Sequence, residues 1–305
     1  MKSFVLLISI LLAGRAFAQH EEIPDTLIEG QPDTLSLYQA FRHGKTTGHF
    51  RYFFMATDNS GALTDYYAHA LGGGLKFETA PFRKFQLGVS GFFIYNILSS
   101  DLGATDPLTQ QHNRYEISLF DLEDPDNKND IDRLEELYLK YNNNKLSITL
   151  GKQLINTPFI NPQDSRMRPT EVEGIFAEGK AGQGWTLEGG WIYNVSPRST
   201  VEWYSVANSI GINAQGVTPD GVPADYRDNL TSKGIGLSGI SYKPSDKFVI
   251  KAYNQYADNL FNTALVQAEY QQPLNHSRFK AAIQYIRQDV VNNGGNEDPS
   301  KTYFD

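Results

Sequence analysis

The chain has 305 residues, a formal net charge of −8 at pH 7 and no cysteine. The absence of cysteine excludes disulfide scaffolds, cysteine zinc sites and thiol catalysis. The negative charge and the lack of a basic run argue against a nucleic-acid-binding protein.

The N-terminus predicts export. Lys2 is followed by an apolar run from Phe4 to Ala13, and Ala16-Phe17-Ala18 has the small-x-small pattern of a signal peptidase site. No later segment contains the ~20 consecutive apolar residues of a transmembrane helix. We therefore expect three regions: a cleaved signal peptide at 1–18, an N-terminal periplasmic segment at 19–47, and a β-barrel that begins at 48 and runs to 305.

Most of the chain alternates apolar and polar residues. In Phe85–Ile97 the apolar residues occupy one set of alternate positions, which is the period of a strand with one apolar face. Lys145–Gln153 and Trp185–Asn194 repeat this pattern. Less regular versions occur at His49–Met55, Tyr67–Phe77, Glu135–Tyr141, Val172–Lys180, Lys233–Tyr242, Phe248–Tyr256, Asn262–Tyr270 and Arg278–Arg287. The sequence thus predicts eleven strands of about the ~9–11 residues that cross a bilayer at a tilt, and an all-β fold.

The connections between these strands alternate in length. Tight polar turns occur at TAPFRK, YNNNK, GKAGQG, KPSDK and QPLNHS, whereas Leu98–Asp132, Gln153–Glu171 and Asn194–Ser232 are long links. This asymmetry is typical of a transmembrane antiparallel β-barrel with periplasmic turns and extracellular loops. Aromatic residues near the strand ends fit the girdles of such a barrel at the two membrane interfaces. The alternative, an aromatic-rich soluble sandwich, gives no reason for the asymmetry.

The number of predicted strands is odd. Single-chain bacterial barrels have even strand numbers and close on themselves, because an open edge in lipid leaves backbone groups unpaired. We therefore expect the chain to be C-terminally incomplete, ending inside an extracellular loop at PSKTYFD.

Several segments together resemble the OprD-type outer-membrane porins, particularly their Bacteroidetes branch. They are GHFRYFFMATDN, DYYAHALGGGLKFETA, FQLGVSGFFIYNI, NRYEISLFDLEDPDNKNDIDRLEELYLKY and ITLGKQLINTPFINPQDSRMRPTEVEG. The resemblance is strong from Gly48 to Gly174 and weaker beyond. It implies an eighteen-stranded, monomeric outer-membrane barrel whose third extracellular loop folds inward to narrow the pore. It also implies basic side chains that guide small solutes, often with a carboxylate, by passive diffusion.

The resemblance also implies the partners of the protein. These are outer-membrane lipid and lipopolysaccharide, the barrel-assembly machinery, and small hydrophilic solutes such as amino acids or peptides. Neither an enzymatic activity nor a cofactor is implied.

Thr157–Gly174, TPFINPQDSRMRPTEVEG, interrupts the strand pattern after the fifth strand, where the family places its constriction loop. Arg166 and Arg168 are two positions apart and would point to the same side of an extended loop. Because a guanidinium matches a carboxylate bidentately, such a pair suits a passing anion. We expect the constriction to be formed by Arg166, Arg168, Asp164, Lys152 and Glu171. Alternatively, Arg166 is a structural clamp on Asp164 or Glu171.

Other charged residues are predicted to face the lumen because they alternate with the apolar side of their strands. They are Lys140, Glu136, Glu188 and Lys251. The lumen would then contain charges of both signs, so that ion preference depends on where each charge lies.

Three other patterns give no site. GIGLSG at 234–239 matches a dinucleotide motif but precedes a strand and a turn instead of a helix. The acidic segment Asp121–Asp132 lacks the spacing of a calcium loop, and the six histidines are scattered. An outer-membrane hydrolase would need a His and a Ser within reach, and no sequence signature supports one. The remaining alternative to a channel is a non-conducting barrel that acts as an adhesin or binding protein through its long links.

Overall fold

The computed structural model of the protein describes residues 33–129, 131–162, 166–212, 226–274 and 277–295. Its helices are α1 (Leu37–Arg42) and α2 (Val206–Ser209), and Ile117–Leu119 forms one 3₁₀ turn. Its strands are β1 (Lys45–Thr57), β2 (Tyr66–Glu78), β3 (Phe85–Ser99), β4 (Ile131–Asn142), β5 (Leu146–Gln153), β6 (Glu171–Gly182), β7 (Trp185–Ser196), β8 (Tyr204–Ser205), β9 (Ile235–Ser245), β10 (Phe248–Ala257), β11 (Phe261–Pro273) and β12 (Arg278–Val290).

All strands belong to one antiparallel sheet, which confirms the predicted all-β fold. The long strands pair in chain order, and the two-residue β8 pairs only with β7. The eleven predicted strands are all present. β8 and the two helices were not predicted, because elements of two to six residues are too short to show a period. Within the described residues β1 and β12 pair with β2 and β11 only, so the sheet is open between them.

In the described part of the chain, no helix has the length and apolar character needed to cross a membrane.

The two faces of the sheet differ in what covers them. On β3 the side chains of the predicted apolar row, from Phe85 to Ile97, are between 37% and 55% exposed, whereas Phe92 and Ile94 between them are 3% and 1% exposed. We call the face with Phe92 and Ile94 the inner face and the opposite one the outer face. An outer face covered with exposed apolar side chains is the pattern of a barrel wall in lipid.

The two ends of the sheet differ in the length of their connections, as predicted. One end has tight turns at 79–84, 143–145, 183–184, 246–247 and 274–277. The other has longer links at 58–65, 100–130, 154–170 and 197–234, with a three-residue link at 258–260 as the exception. β1 begins at Lys45, inside the segment that was expected to precede the barrel.

The long links pack against the inner face. One buried apolar cluster joins Phe92 and Ile94 to Leu119 and Phe120 of the 100–130 link and to Met167 of the 154–170 link. A second cluster joins inner residues of β6, β7 and β9–β11 to residues of the 154–170 and 197–234 links. The interior is therefore partly filled by the links themselves.

Candidate functional site

The 154–170 link reaches the inner face of β1–β3. It contains the predicted constriction segment up to residue 170, and the last four residues of that segment, Glu171–Gly174, begin β6. Met167 is 2% exposed and packs in the cluster with Phe92. A Cβ atom built on Gly72 would lie 2.9 Å from the Cε atom of Met167, so the absence of a side chain there makes room for it. Arg51 on β1 donates from Nη1 to the carbonyl oxygens of Arg166, at 2.9 Å, and Met167, at 3.3 Å. β1–β3 thus contact both the backbone of the link and the side chain of Met167.

The opposite half of the same link contacts the other side of the sheet. The Thr157 amide donates to the carbonyl oxygen of Ile160 at 2.8 Å, and the Ile160 amide donates to Oγ1 of Thr157 at 2.9 Å, which closes a tight turn. Next to this turn, the ring of Phe159 meets that of Tyr253 on β10, with centroids 6.1 Å apart and planes at 63°. The link therefore spans the interior, from β10 to β1–β3.

Arg166 lies at the end of this bridge near β1. Its φ of 77° is left-handed, so the backbone is not extended as expected from the sequence. Its guanidinium donates to the carbonyl oxygen of Tyr115 at 3.1 Å and to the hydroxyl of Ser118, both in the 100–130 link. Burial lowers the pKa of Arg166, and nearby Glu116 opposes this shift. Asp164, one of the two alternative partners of Arg166, lies outside the described residues.

Arg168 and Glu171 are each 1% exposed, so neither presents its side chain to solvent. Arg168 donates from Nη2 to the carbonyl oxygen of Phe120 at 3.5 Å. Burial, and then the charge of Arg133, hold the pKa of Arg168 below its usual range. Arg168, in the 154–170 link, and Glu171, at the start of β6, are instead enclosed by the surrounding links and strands.

Arg133 on β4, which the sequence interpretation missed, is the centre of this buried network. Its Nη2 atom lies 2.9 Å from Oε1 of Glu135 and donates to the carbonyl oxygen of Pro169 at 3.0 Å, and its Nη1 atom donates to Oγ of Ser196 at 3.0 Å. One guanidinium therefore joins β4, the 154–170 link and the end of β7. Arg133 is two positions from the buried Ile131, so strand alternation would have placed both side chains on the inner face. The predicted strand began only at Glu135, and this relation was therefore not used.

A β-bulge on β4 explains why the alternation was difficult to follow there. Ser90 pairs with Glu136 and the next residue of β3, Gly91, pairs with Leu134, so Glu135 is an extra residue. Both glutamates are 7% exposed. Glu136 lies 2.8 Å from the ammonium of Lys76 and accepts from Oγ of Ser90 at 3.1 Å. The bulge thus brings two consecutive carboxylates to the inner side.

The other residues predicted to face the lumen also lie on the inner face, far from the buried network along their strands. Lys140 alternates with Tyr138, which is 6% exposed. Glu188 alternates with the exposed outer residue Leu187 and is opposite Gly239. Lys251 pairs with Glu269 at 3.1 Å. Positive and negative side chains are therefore interspersed along the inner face.

Lys152 differs from the expectation. The register pairs it with Leu137, and it follows Leu150 by two positions, so it lies on the outer face with these exposed leucines. Its ammonium lies 3.3 Å from Oε2 of Glu173 and 3.5 Å from the ring centroid of Trp203. A lysine is tolerated on this face because it lies at the end of β5, near the long-link end of the wall.

The acidic segment of the 100–130 link lines a cavity of about 310 Å³. Asp121, Glu123, Asp124 and Glu202 line it, and burial raises the pKa of Asp121. Among the described residues no three His, Cys, Asp or Glu side chains are arranged to hold a metal ion. Glu123 instead pairs with Arg227, which ties this link to the 197–234 link.

Comparisons with known proteins identify the architecture. No curated protein matches the sequence. The chain is similar to the crystal structure of OccK9 (OpdG) from Pseudomonas aeruginosa, at 16% identity and a TM-score of 0.62, over 84% of this chain and 61% of that one. It is similar to OpdK with vanillate from the same organism, at 15% identity and a TM-score of 0.61, over 84% and 60%. A BenF-like porin from Pseudomonas fluorescens Pf-5 gives 16% identity and a TM-score of 0.60, over 83% and 59%.

These likenesses establish the fold, and the chain spans only about three-fifths of the length of these porins. The family assignment comes from the sequence, because the model of the outer membrane porin, OprD family, matches residues 109–299. That match covers more than half of the chain and includes the 154–170 link and the network around Arg133. The protein therefore belongs to the OprD family of outer membrane porins and is located in the outer membrane.

Proposed function

We propose that the protein, as part of a closed OprD-type barrel, forms an outer-membrane channel for the passive and partly selective diffusion of small hydrophilic solutes. The observation that supports this function best is the bridge made by the 154–170 link, with Phe159 against Tyr253 at one side and Met167 against β2–β3 at the other. A segment held across the interior narrows any aqueous path. Solutes would be selected there by size and charge.

Within this proposal, the solute is a small hydrophilic molecule that bears a carboxylate, such as an amino acid or a peptide. Arg166 is partly exposed, and the exposed Arg198 is close enough for its positive charge to contribute, after burial, to the lowered pKa of Arg166. The two guanidinium groups therefore form a positively charged region at this end of the link. A unit charge ~4 Å away contributes about 1 kcal/mol in water and about 4 kcal/mol at an effective dielectric of 20. Such energies favour entry of an anion without trapping it. The vanillate in the OpdK structure is an anion of this class.

The buried residues have a different role in this proposal. Arg133, Arg168 and Glu171 hold the links in place and so fix the position of Arg166. The exposed apolar outer face would contact outer-membrane lipid and lipopolysaccharide, and the barrel-assembly machinery would insert the protein as a monomer. Residues 1–18 would be removed as a signal peptide. No catalytic role or cofactor forms part of the proposal.

The test is the zero-current potential of the full-length protein in planar bilayers under a salt gradient. We expect discrete channels in the wild type, and a shift of the potential toward cation preference in Arg166→Gln/Arg198→Gln. Lys152→Gln is the matched control, because it removes a positive charge from the outer face and should leave the potential unchanged. If correctly folded, heat-modifiable protein gives no channels, the non-conducting adhesin replaces the channel as the best hypothesis. If channels form but both variants behave alike, the selective role of the link is wrong.

A further inference from the structure

An exposed apolar surface lies at the tight-turn end of the sheet, before β1. Leu35, Leu37, Tyr38 and Phe41 are 90%, 59%, 72% and 47% exposed. Leu37, Tyr38 and Phe41 occupy one side of α1, because residues one and four positions apart lie within about a third of a helical turn. Ala40, on another side of the helix, is 2% exposed. The large apolar side chains of α1 therefore face away from the protein, and the small Ala40 faces toward it.

Hydrogen bonds fix the position of α1 against the 79–84 turn. The Ala80 amide donates to the carbonyl oxygen of Ala40 at 2.9 Å, and the Thr34 amide donates to that of Pro81 at 2.8 Å. The Lys84 amide donates to Oδ1 of Asp33, also at 2.9 Å. The chain before β1 is therefore attached to the wall at three points, and the exposed surface has a defined orientation.

The aromatic contact of α1 shows on which side of the wall it lies. The ring of Phe41 stacks on that of Phe77, with centroids 6.2 Å apart and planes at 20°. Phe77 alternates with Leu75, which is 64% exposed on the outer face. The helix therefore continues the outer, lipid-facing surface of β2 at its periplasmic end. Phe85 and Tyr141, whose ring centroids are 5.2 Å apart with planes at 59°, extend the same aromatic band along β3 and β4.

We propose that Leu35–Arg42 is an interfacial anchor that lies in the headgroup region of the periplasmic leaflet and binds phospholipid there. The surface is continuous with the wall that contacts the bilayer, and large apolar side chains on such a surface are stabilised by leaving water. Tyr38 and Phe41 are residue types that prefer the membrane interface. Arg42 in α1, and Arg83 and Lys84 in the 79–84 turn to which α1 is hydrogen-bonded, are exposed, which suits lipid phosphates.

The proposal rests on the outer-membrane location and is independent of the channel function. Because the chain has no cysteine, single cysteines at chosen positions take a spin label cleanly. The full-length protein would be folded into vesicles of phosphatidylethanolamine and phosphatidylglycerol. The collision rate of the label with oxygen, which enters the bilayer, is then compared with that of a water-soluble nickel chelate. Three controls accompany Tyr38→Cys: Val266→Cys on the outer face of β11, Leu108→Cys in the 100–130 link, and Gln39→Cys on the opposite side of α1.

We expect the oxygen-to-nickel ratio at position 38 to be several-fold higher than at positions 108 and 39, and lower than at position 266. Heat-modifiable migration confirms that each labelled variant is folded. A ratio at position 38 equal to that at position 108 would mean that the helix is in water, where a periplasmic protein could bind it. A label at position 38 that neither reagent reaches would mean that protein covers the helix. Either result would overturn the proposal.

Discussion

Replacing Met167 with alanine should release the 154–170 link from the inner face of β1–β3. Met167 is 2% exposed, and its Cε atom fills the space above Gly72. When the link leaves the inner face, the Met167 side chain passes from a buried site into water. The free-energy cost of truncating it therefore follows that of other buried side chains. Truncation of a buried methionine to alanine costs about 2–5 kcal/mol. Since 1.4 kcal/mol changes an equilibrium constant tenfold, a loss of about 3 kcal/mol increases the population with a released link about 100-fold.

Trypsin provides the assay, because it can cut after Arg166 only when the link is released, while the Arg168–Pro169 bond resists it. Cleavage of a transiently opened segment follows the population of the open form when opening is fast. We therefore expect the rate of cleavage after Arg166, measured by mass spectrometry of folded protein, to increase about 100-fold in Met167→Ala.

The matched control is Met55→Ala. Met55 is partly buried against the same cluster but belongs to β1, so its loss should change cleavage after Arg166 much less. The reasoning fails if the two variants are cut equally fast, or if Met167→Ala remains as resistant as the wild type. In that case the hydrogen bonds from Arg51 to the link, which the substitution leaves in place, would be sufficient to hold it.

Three further predictions concern the wall and the 100–130 link. Gly88→Ala places a Cβ 2.3 Å from the ring of Tyr138 and should lower the heat-modification temperature, at a cost of about 1–3 kcal/mol, whereas Gly91→Ala, whose Cβ meets nothing closer than 3.6 Å, should not. Arg133→Met should destabilise the protein by about 3–5 kcal/mol, because it leaves Glu135 buried and unpaired. Arg133→Met/Glu135→Leu should recover part of that loss; if it does not, the unpaired glutamate is not the cause of the destabilisation. Backbone amides of Thr109 and Thr64 hold the pKa of Asp106 below its usual range, so its stabilisation is complete above the ordinary aspartate pKa and is lost as the pH falls below it. Pepsin should therefore cut the segment near Asp106 faster from pH 4 to pH 2 in the wild type, after correction with a peptide substrate; an equally steep change in Asp106→Asn would contradict this.

The strands were predictable because each has one chemical environment on each face. Lipid and a packed interior select different side chains at alternate positions, and this produces a local signal with a period of two. β3 illustrates it, since the apolar row from Phe85 to Ile97 is the exposed one. The lengths of the connections are also a local property, so the two ends of the sheet could be distinguished.

The packing of the links was not predictable in the same way. The contact of Arg51 with the 154–170 link joins residues 115 positions apart, and no local pattern indicates it. The burial of Arg168 is also non-local, because arginine is usually exposed and only the surrounding links bury it. Lys152 and Glu135 show a different limit of prediction from alternation, which assigns each residue to one face of the sheet. Lys152 lies on the outer face but at the end of β5, where a charged side chain is tolerated. Glu135 is the extra residue of a β-bulge, which interrupts the alternation.

The bridge across the interior also sets an order in which the protein can fold. Contacts between residues distant in sequence require the intervening chain to be arranged first. The 154–170 link needs β1–β3 on one side and β10 on the other before both Met167 and Phe159 are covered. Until β10 is in place, Phe159 lacks the ring of Tyr253, although Met167 can already pack against β1–β3. A chain stalled at that stage would hold the link only at its Arg166–Met167 end, so the crossing of the interior is completed last, by the contact with β10.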